Sequence, residues 1–336
     1  EGMWALMPTT LYKNKQQGKG MMSQKLRVGY YPIRDNKLPL WVAQDAKLFE
    51  KHGLDVVLRS DARGQTVEEV IAKKIDIGVV GFRAAVDALA KGADLVFVAS
   101  LAANPFVFLA EPNIQLPLNL KGKKIWTAPS GEGPNVATRL VLAHLGIHPD
   151  NDVELVPGQD NHATGVQWML DGKVSASLSN RGKVKDLLKQ RKKFTLLADF
   201  MDSGLAITAA DVLVRQDWLG AHRDAAKSFL KAVVEAIAYA KTHKDFTDAI
   251  CAKYLLKDFA TGMETKFEDY VLGVLPEKPY PLTKGLETAI RELAPGDSFL
   301  RQKKAEEFID ASIISEIEKE GFIEQLYRQH RADDAK

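Results

Sequence analysis

Three arginines stand a short distance behind predicted β-strands, where they could bind an anion together. Arg34, Arg83 and Arg181 each follow a predicted strand by only a few residues. The guanidinium group binds carboxylate, sulfonate or phosphate through two parallel hydrogen bonds. Any one of the three could instead form a surface salt bridge. If two of them converge on one cleft, the ligand is an anion.

A glycine-rich turn at residues 130–134 lies between a predicted strand and a predicted helix. Free main-chain N–H groups and the helix dipole favour an anion there, although the Glu132 carboxylate would repel one unless it points away or binds a cationic group. The alternative is an ordinary turn that Ser130 or Asn135 caps. The turn lacks the third glycine of the dinucleotide fingerprint, so we expect no dinucleotide site. The candidate contacts are Ser130, Gly131 and Gly133.

Two similar turns, Gly64-Gln65-Thr66 and Gly81-Phe82-Arg83, follow strands in the first third of the chain. The polar side chains of the first turn can donate hydrogen bonds to a ligand, and the phenylalanine of the second offers an apolar wall. Helix capping and core packing are the alternative roles. The candidate contacts are Gln65, Thr66, Gly81, Phe82 and Arg83.

Aromatic and amide side chains complete the set of candidates. Tyr31 and Trp41 flank the loop after the first strand and could line an aromatic pocket. Because Trp41 lies on the first turn of a predicted helix, core packing is its alternative role. Asn161 and Asn180 follow predicted strands in the second part of the chain.

Residues typical of catalysis are few. The seven histidines include no H-E-x-x-H motif and no pairing with cysteine or carboxylate at metal-binding spacing, so we expect no metal site and no cofactor. No Ser-His-Asp motif or P-loop is present, and no catalytic residue is predicted. An acid–base decarboxylase that uses Arg34 with His52 or His162 stays open, although no spacing supports it.

A basic run between Lys183 and Lys193 contains six cationic residues and interleaves Leu187 and Leu188. This pattern is typical of an exposed, solvated helix face. Binding of phosphate or of a membrane surface is the alternative.

An opening β-α-β unit positions the first candidates. Apolar residues alternate at strand spacing over residues 26–30, Pro39 suits the first turn of a helix, and Gly53 suits its end. Such a unit implies parallel strands with a right-handed crossover. Because ligands bind beyond the carboxyl ends of such strands, residues 31–38 are the first place to expect function.

Strands and helices alternate in two series, with Pro117 between them, and residues 211–215 are interpreted as a return crossing. Near-continuous apolar strands indicate sheets that are covered on both faces. Two crossings would form a hinge between two lobes. We expect a disordered extension or tag remnant at residues 1–24, a first lobe at residues 25–112 plus 206–336, and a second lobe at residues 113–205.

Composition excludes several classes of function. The 46 Lys and Arg residues oppose 44 Asp and Glu residues, and this net charge of +2 argues against a nucleic-acid partner. The single cysteine, Cys251, cannot form an intrachain disulfide, which suits the cytoplasm or a periplasmic protein without disulfides. The longest apolar run, residues 95–110, is too interrupted to span a membrane. The order of apolar and basic residues in 1–24 is the reverse of a signal peptide.

The run from Pro39 to Val57, preceded by Val28-Gly29-Tyr30, resembles periplasmic substrate-binding proteins of ABC importers. The branch concerned includes binders of aliphatic sulfonates, taurine, nitrate and thiamine pyrimidines, and the resemblance extends from about Leu26 to Arg328. It implies an α/β fold of type II periplasmic binding proteins. This fold has two lobes, each a mixed sheet with helices on both faces, joined by two hinge strands, and its C-terminal part packs on the first lobe.

The resemblance implies capture of a small organic anion, sulfonate-like or carboxylate-like, by hinge closure. The expected partners are this ligand and an ABC permease, with no nucleic acid and at most a peripheral membrane contact. We expect a monomer in the bacterial periplasm, with the cytoplasm as the alternative. An enzyme on the same scaffold is the alternative function, since desulfinases of aromatic sulfinates and pyrimidine synthases are also similar. However, residues 31–38 lack the desulfinase cysteine, and the cysteine-rich motif of the synthases is missing.

Overall fold

The computed structural model describes residues 24–31, 33, 35–61, 64–103, 106–130, 133–158, 162–205, 207–255, 271–293 and 297–333. Ten strands lie within these residues and form two five-stranded sheets. In chain order they are β1 Gln24–Tyr30, β2 Leu54–Ser60, β3 Ile77–Val80, β4 Leu95–Ala103, β5 Phe106–Ala110, β6 Lys124–Thr127, β7 Glu154–Pro157, β8 Ala176–Asn180, β9 Thr195–Asp199 and β10 Thr208–Arg215.

Helices follow most of the strands. In chain order they are α1 Leu38–Asp45, α2 Leu48–Lys51, α3 Thr66–Ile71, α4 Phe82–Ala90, α5 Gly133–His144, α6 His162–Leu170, α7 Arg181–Lys189, α8 Gln216–Ala221, α9 Arg223–Thr242, α10 Lys244–Tyr254, α11 Thr283–Leu293, α12 Ser312–Lys319 and α13 Phe322–Asp333. Within the described ranges, none of these helices is both long and apolar enough to cross a membrane.

Both sheets are mixed. The first has the strand order β2-β1-β3-β10-β4, and only β10 runs antiparallel to its neighbours. The second has the order β7-β6-β8-β5-β9, and only β5 is antiparallel to its neighbours. Two mixed sheets with covering helices confirm the predicted α/β fold class.

The opening unit forms as predicted, with one difference in its helix. The helical segment is split into α1 and α2, because Lys47 adopts a left-handed conformation with φ of 56° between them. Gly53 has φ of 78° and ends the segment, as its lack of a side chain allows. The β1 and β2 strands then pair in parallel.

The first crossing between the sheets lies earlier than expected. The predicted first lobe extended to residue 112, but β5 already pairs with β8 and β9 of the second sheet. The chain has therefore changed sheets between the end of β4 at Ala103 and the start of β5 at Phe106. Residues 95–110 are apolar almost throughout, so composition did not separate β4 from β5.

The long helix α9 forms the centre of the core beside the first sheet. The rings of Phe49 and Phe229 stack at 5.6 Å, and both residues are buried. The helices α1, α2, α12 and α13 all pack on α9. Asp310 donates its main-chain N–H to the Phe97 oxygen at 2.9 Å, so the C-terminal part also contacts the edge strand β4.

Helix α11 lies against both halves of the molecule. It packs on α4, which follows the first sheet, and on α5, which follows a strand of the second sheet. Gly285, near its start, leaves no room for a side chain, because an added Cβ would lie 2.7 Å from Cγ2 of Thr208 at the second crossing. Helix α11 therefore supports the crossing between β9 and β10.

Candidate functional site

The carboxyl ends of three parallel strands define one edge of the first sheet. The strands β1, β2 and β3 end at Tyr30, Ser60 and Val80. Their registers place these ends side by side. The turns that follow them hold most of the candidate contacts of the first sheet, as ligand sites in parallel sheets require.

The second sheet presents the matching edge. The strands β6, β7 and β8 end at Thr127, Pro157 and Asn180. The start of β5 lies there too, because Phe106 pairs in register with Asn180. Since only residues 104–105 separate β5 from the carboxyl end of β4, the two edges meet at this crossing.

Arg83 connects the two edges. Its Nη1 donates a hydrogen bond of 3.4 Å to the main-chain oxygen of Ser130. Arg83 is the second residue of helix α4, which follows β3, and Ser130 lies in the turn between β6 and α5. The Arg83 side chain is 45% exposed, and its Nε lies 3.9 Å from the Asp87 carboxylate. It thus lies at the rim where the two edges approach.

Tyr31 and the turn before α3 form one wall of this edge. Tyr31 is 40% exposed, and its ring lies against Gly64, where an added Cβ would be 3.3 Å from Cε1. Thr66 is buried and donates its hydroxyl to the Asp61 carboxylate at 3.2 Å. Gln65 is exposed, and its side chain makes no capping hydrogen bond. Tyr31 and Gln65 are therefore the accessible members of this group.

The turn before α4 combines open space with a buried ring. Gly81 adopts an extended conformation at the helix N-cap, and an added Cβ would meet nothing within 4 Å. Phe82 is only 5% exposed and packs in the core. Gly81 thus lies at an open position, whereas Phe82 mainly anchors the helix.

A buried side chain stabilises the turn before α5. Asn135 donates its amide to the Thr127 hydroxyl at 2.9 Å, which joins the first turn of α5 to the end of β6. Ser130 is exposed, and Gly133 begins the helix with free space around its Cα. Asn135, named as an alternative cap, therefore supports the turn through its side chain.

Arg181 is bound by two carboxylates of its own half. Its Nε donates to Asp199 at 2.7 Å, and its Nη2 donates to Asp202 at 2.9 Å. The hydrogen bond that Arg181 donates to Asp199 is the main reason that the pKa of Arg181 is raised. These contacts neutralise much of the positive charge that an anionic ligand would need. Arg181 therefore makes two short carboxylate contacts, whereas the Asp87 carboxylate lies 3.9 Å from Arg83 Nε.

Trp41 packs in the core. It is fully buried, its ring stacks on Tyr254 at 5.2 Å, and it meets Tyr30 edge-on at 6.2 Å. The alternative of core packing therefore describes Trp41, and lining of an aromatic pocket does not. Its position on the first turns of α1, directed at α10, explains the difference.

The remaining candidates give no side-chain geometry. Arg34, Gly131 and Asn161 lie outside the described residues. The backbone of Asn180 ends β8, next to the start of β5. The predicted convergence of two arginines on one ligand therefore stays a prediction.

Sequence reasoning missed a buried pair of charged residues beneath the first edge. Lys37 precedes α1 and is fully buried, and its Nζ donates to Asn36 Oδ1 at 2.8 Å. Asp211 on β10 is 3% exposed and accepts a hydrogen bond of 2.5 Å from Ser100 on β4. Burial raises the pKa of Asp211 to about 6, against the opposing effects of Ser100, Thr208 and Lys37.

This buried network reaches the C-terminal part of the chain. The Ser100 hydroxyl also accepts the main-chain N–H of Leu282 at 3.2 Å. It therefore connects both crossing strands, β4 and β10, to the segment that leads into α11. Lysine is seldom fully buried in proteins. The burial of Lys37 could therefore have been predicted only from the apolar residues that follow it in the sequence.

Clusters of metal-binding side chains do not occur among the described residues. No group of three or more His, Cys, Asp or Glu side chains there could hold a metal ion. Cys251 is buried within α10.

Comparison with known proteins adds a family to this geometry. The model of the NMT1/THI5-like family matches residues 35–245, which is more than half of the chain. The chain belongs to the NMT1/THI5-like family. The match begins just before α1 and ends within α10. It includes both crossings and the turns before α3, α4 and α5, whereas β1 and Tyr31 precede it.

Relatives of this NMT1/THI5-like protein are distant. YtlA of Bacillus subtilis is 25% identical over 247 residues, which are 69% of this chain and 71% of YtlA. The pyrimidine phosphate synthase THI13 of Saccharomyces cerevisiae is 27% identical over 146 residues, which are 42% of this chain and 41% of the synthase. The periplasmic aliphatic sulphonate-binding protein SsuA of Escherichia coli has the same fold, with a TM-score of 0.65 and 22% identity over 85% of this chain and 98% of SsuA.

Proposed function

We propose that this protein is the solute-binding component of an ABC importer and that it captures a small organic anion between its two sheets. The observation that carries the proposal is the contact of Arg83 with the Ser130 oxygen, which spans the two edges at 3.4 Å. An anion at this position would replace a long hydrogen bond to a neutral oxygen with one in which both partners are charged. Arg83 is the proposed main contact, with Ser130, Gly133 and Gly81 around it.

Closure on the ligand needs contacts that form only when the edges are together. A ligand with equal affinity for open and closed forms shifts no equilibrium. Arg83 on one side and the start of α5 on the other provide such a pair, because one ligand can touch both only in the closed form. Micromolar affinity corresponds to about 8 kcal/mol, which two charge-assisted contacts and an apolar wall can supply.

The binding roles of two similar proteins support this proposal. YtlA is assigned as a binding protein, and SsuA binds aliphatic sulphonates in the periplasm. By extension we propose a sulfonate-like or carboxylate-like ligand, an ABC permease as the partner, a monomeric state and a periplasmic location for this chain. Tyr31 beside the Gly64 turn would then contact an alkyl or aromatic body of the ligand.

A thermal-shift screen of the purified protein tests the proposal. The screen covers alkyl and aryl sulfonates, aromatic carboxylates, nitrate, taurine and pyrimidines, and mass spectrometry follows the fate of every hit. A ligand at about 100 times its Kd stabilises a protein by about 2.7 kcal/mol, which gives a shift of a few degrees. We expect a hit that is recovered intact. Absence of any anionic hit would contradict the proposed ligand class.

An enzyme on the same scaffold is the second candidate. It is favoured by the partial match to the pyrimidine phosphate synthase and by the buried Asp211, whose pKa of about 6 suits proton transfer near neutral pH. Conversion of a hit to product in the same screen, abolished by Asp211→Asn, would support this candidate. Intact recovery of the hit argues against it.

A further inference from the structure

The edge of the second sheet that lies away from Arg83 carries an unusual surface. There β5 ends at Ala110, which pairs in register with the first residues of β8 and β9. The β6 strand starts at the same edge, because Ile125 pairs with Ala176. The segments that precede β6 and β9 therefore meet at this distal edge, opposite the edge of the proposed site.

Hydrogen bonds hold these two segments together. The Gln115 amide donates to the Thr195 hydroxyl at 3.2 Å, and that hydroxyl reaches the Glu111 oxygen at 3.4 Å. The main-chain N–H of Glu111 bonds to Ser175, whose own N–H bonds to Lys124. Residues 111–124 and 189–195 thus form one continuous surface.

Three leucines project from this surface. Leu116, Leu118 and Leu188 are 63%, 65% and 60% exposed, which is high for large apolar side chains. Their backbones are fixed. The Asn119 side chain accepts the Leu116 N–H at 3.2 Å, and Leu187, next to Leu188, is buried and anchors the end of α7. The leucines are therefore displayed on ordered turns.

Cationic side chains lie on the same two segments as the leucines or directly beside them in the sequence. Lys121 and Lys124 in the same region have carboxylate partners, Asp152 and Glu154. Five further cations are exposed, and among the described residues none of them has a carboxylate within 4 Å. They are Lys123, Lys189, Arg191, Lys192 and Lys193. The whole chain has a net charge of only +2, so positive charge is concentrated at this edge.

We propose that this surface, which we call the basic leucine edge, docks on an anionic lipid bilayer. The cations would attract anionic headgroups, and the three leucines would enter the boundary between headgroups and acyl chains. The named residues include no aromatic ring on which nucleic-acid bases could stack. Because the edge lies opposite the Arg83 site, that site would stay accessible while the protein is docked. The inference does not depend on the identity of the ligand.

Sedimentation of the full chain with lipid vesicles tests this proposal. The vesicles contain phosphatidylcholine with about 30% phosphatidylglycerol, or phosphatidylcholine alone, at about 50 mM salt. We expect binding to the anionic vesicles only, and at least tenfold weaker binding at about 300 mM salt. Binding to both vesicles, or to neither, would overturn the proposal.

Matched variants locate the surface. Replacement of Lys123, Lys192 and Lys193 by Glu is expected to abolish sedimentation with anionic vesicles. Replacement of Lys74, Lys91 and Lys319 by Glu changes the net charge by the same amount at exposed positions outside the basic leucine edge. This control variant is expected to sediment with anionic vesicles as the wild-type protein does. Equal loss in both triple variants would overturn the proposal.

The leucines are tested without a change of charge. Leu116→Ser with Leu118→Ser is expected to reduce vesicle binding several-fold while the melting temperature stays within a few degrees, because both side chains are already exposed. Unchanged vesicle binding in this double variant would show that the leucines do not enter the bilayer and would overturn that part of the inference.

Discussion

The guanidinium group of Arg83 and the main-chain oxygen of Ser130 lie 3.4 Å apart, although one follows a strand of the first sheet and the other follows a strand of the second. This distance is at the long end for a hydrogen bond, so the contact alone contributes little to stability. The contact matters because of where it places the Arg83 side chain. It brings a cationic side chain to the start of α5, where main-chain N–H groups also favour negative charge.

Arg83→Ala is expected to weaken binding of an anionic ligand by about 10- to 150-fold, since a hydrogen bond to a charged group contributes about 1.5–3 kcal/mol. Isothermal titration with a hit from the screen measures this change. Arg328→Ala is the matched control, because Arg328 is exposed and, within the described part of the chain, its ion-pair partner is Glu324 one helical turn away. Equal affinity of the Arg83 variant and the control would remove Arg83 from the site.

Arg181→Ala is expected to change ligand affinity by less than about threefold and to lower the free energy of unfolding by about 1 kcal/mol. The reason is that Arg181 is already bound to Asp199 and Asp202. Calorimetric titration and urea unfolding measure the two effects. A loss of affinity as large as that of Arg83→Ala would show that Arg181 leaves its carboxylates to bind the ligand.

Lys37→Met is expected to destabilise the protein by about 3 kcal/mol at pH 8 and by clearly less at pH 5. Burial raises the pKa of Asp211 from 3.8 to about 6, so its contribution to stability is greatest below pH 3.8 and falls as pH rises through 6. Without the Lys37 ammonium this pKa rises further, and the ionised carboxylate at pH 8 loses its nearby positive charge.

Urea unfolding at the two pH values measures this difference. Lys37→Met combined with Asp211→Asn provides the control, because the titrating carboxyl group is then absent and the pH dependence should be lost. An equal effect of Lys37→Met at pH 5 and pH 8 would show that Lys37 does not interact with ionised Asp211.

Gly165→Ala is expected to destabilise the protein by about 2 kcal/mol, because α6 packs too closely on the second sheet for a side chain. An added Cβ would lie 2.3 Å from the Ser177 hydroxyl oxygen and 2.4 Å from the Trp126 ring. Gly220→Ala in α8 is the control, since no atom lies within 4 Å of its added Cβ and alanine favours helix. In thermal unfolding, the melting temperature should be lower for Gly165→Ala and higher for Gly220→Ala than for the wild-type protein.

The fold could be predicted from local patterns to a large extent. The alternation over residues 26–30, Pro39 at the start of α1 and Gly53 after α2 are short-range signals, and they specified the opening unit correctly. The boundary between β4 and β5 had no such signal, since apolar residues continue through both strands. The boundary between β4 and β5 follows from the strands with which each of them pairs, and those strands are distant in sequence.

The candidate site was less predictable for the same reason. The position of a turn after a strand indicated Ser130, Gly81 and Arg83 as candidates. It did not predict which residues each side chain contacts. Arg181 is bound by Asp199, 18 residues away, and Lys37 lies near Asp211 only because β10 returns to the first sheet. Such contacts depend on tertiary packing, which a spacing rule does not contain.

Small-angle X-ray scattering with and without a ligand from the screen tests closure between the two sheets most directly. We predict that the radius of gyration of the wild-type protein falls when the ligand is added and that the same concentration has no effect on Arg83→Ala. Mass spectrometry of the same sample should recover the ligand unchanged. A radius of gyration that stays constant while the ligand binds, or a ligand that is converted to product, would contradict the proposal of a binding protein that closes on its solute.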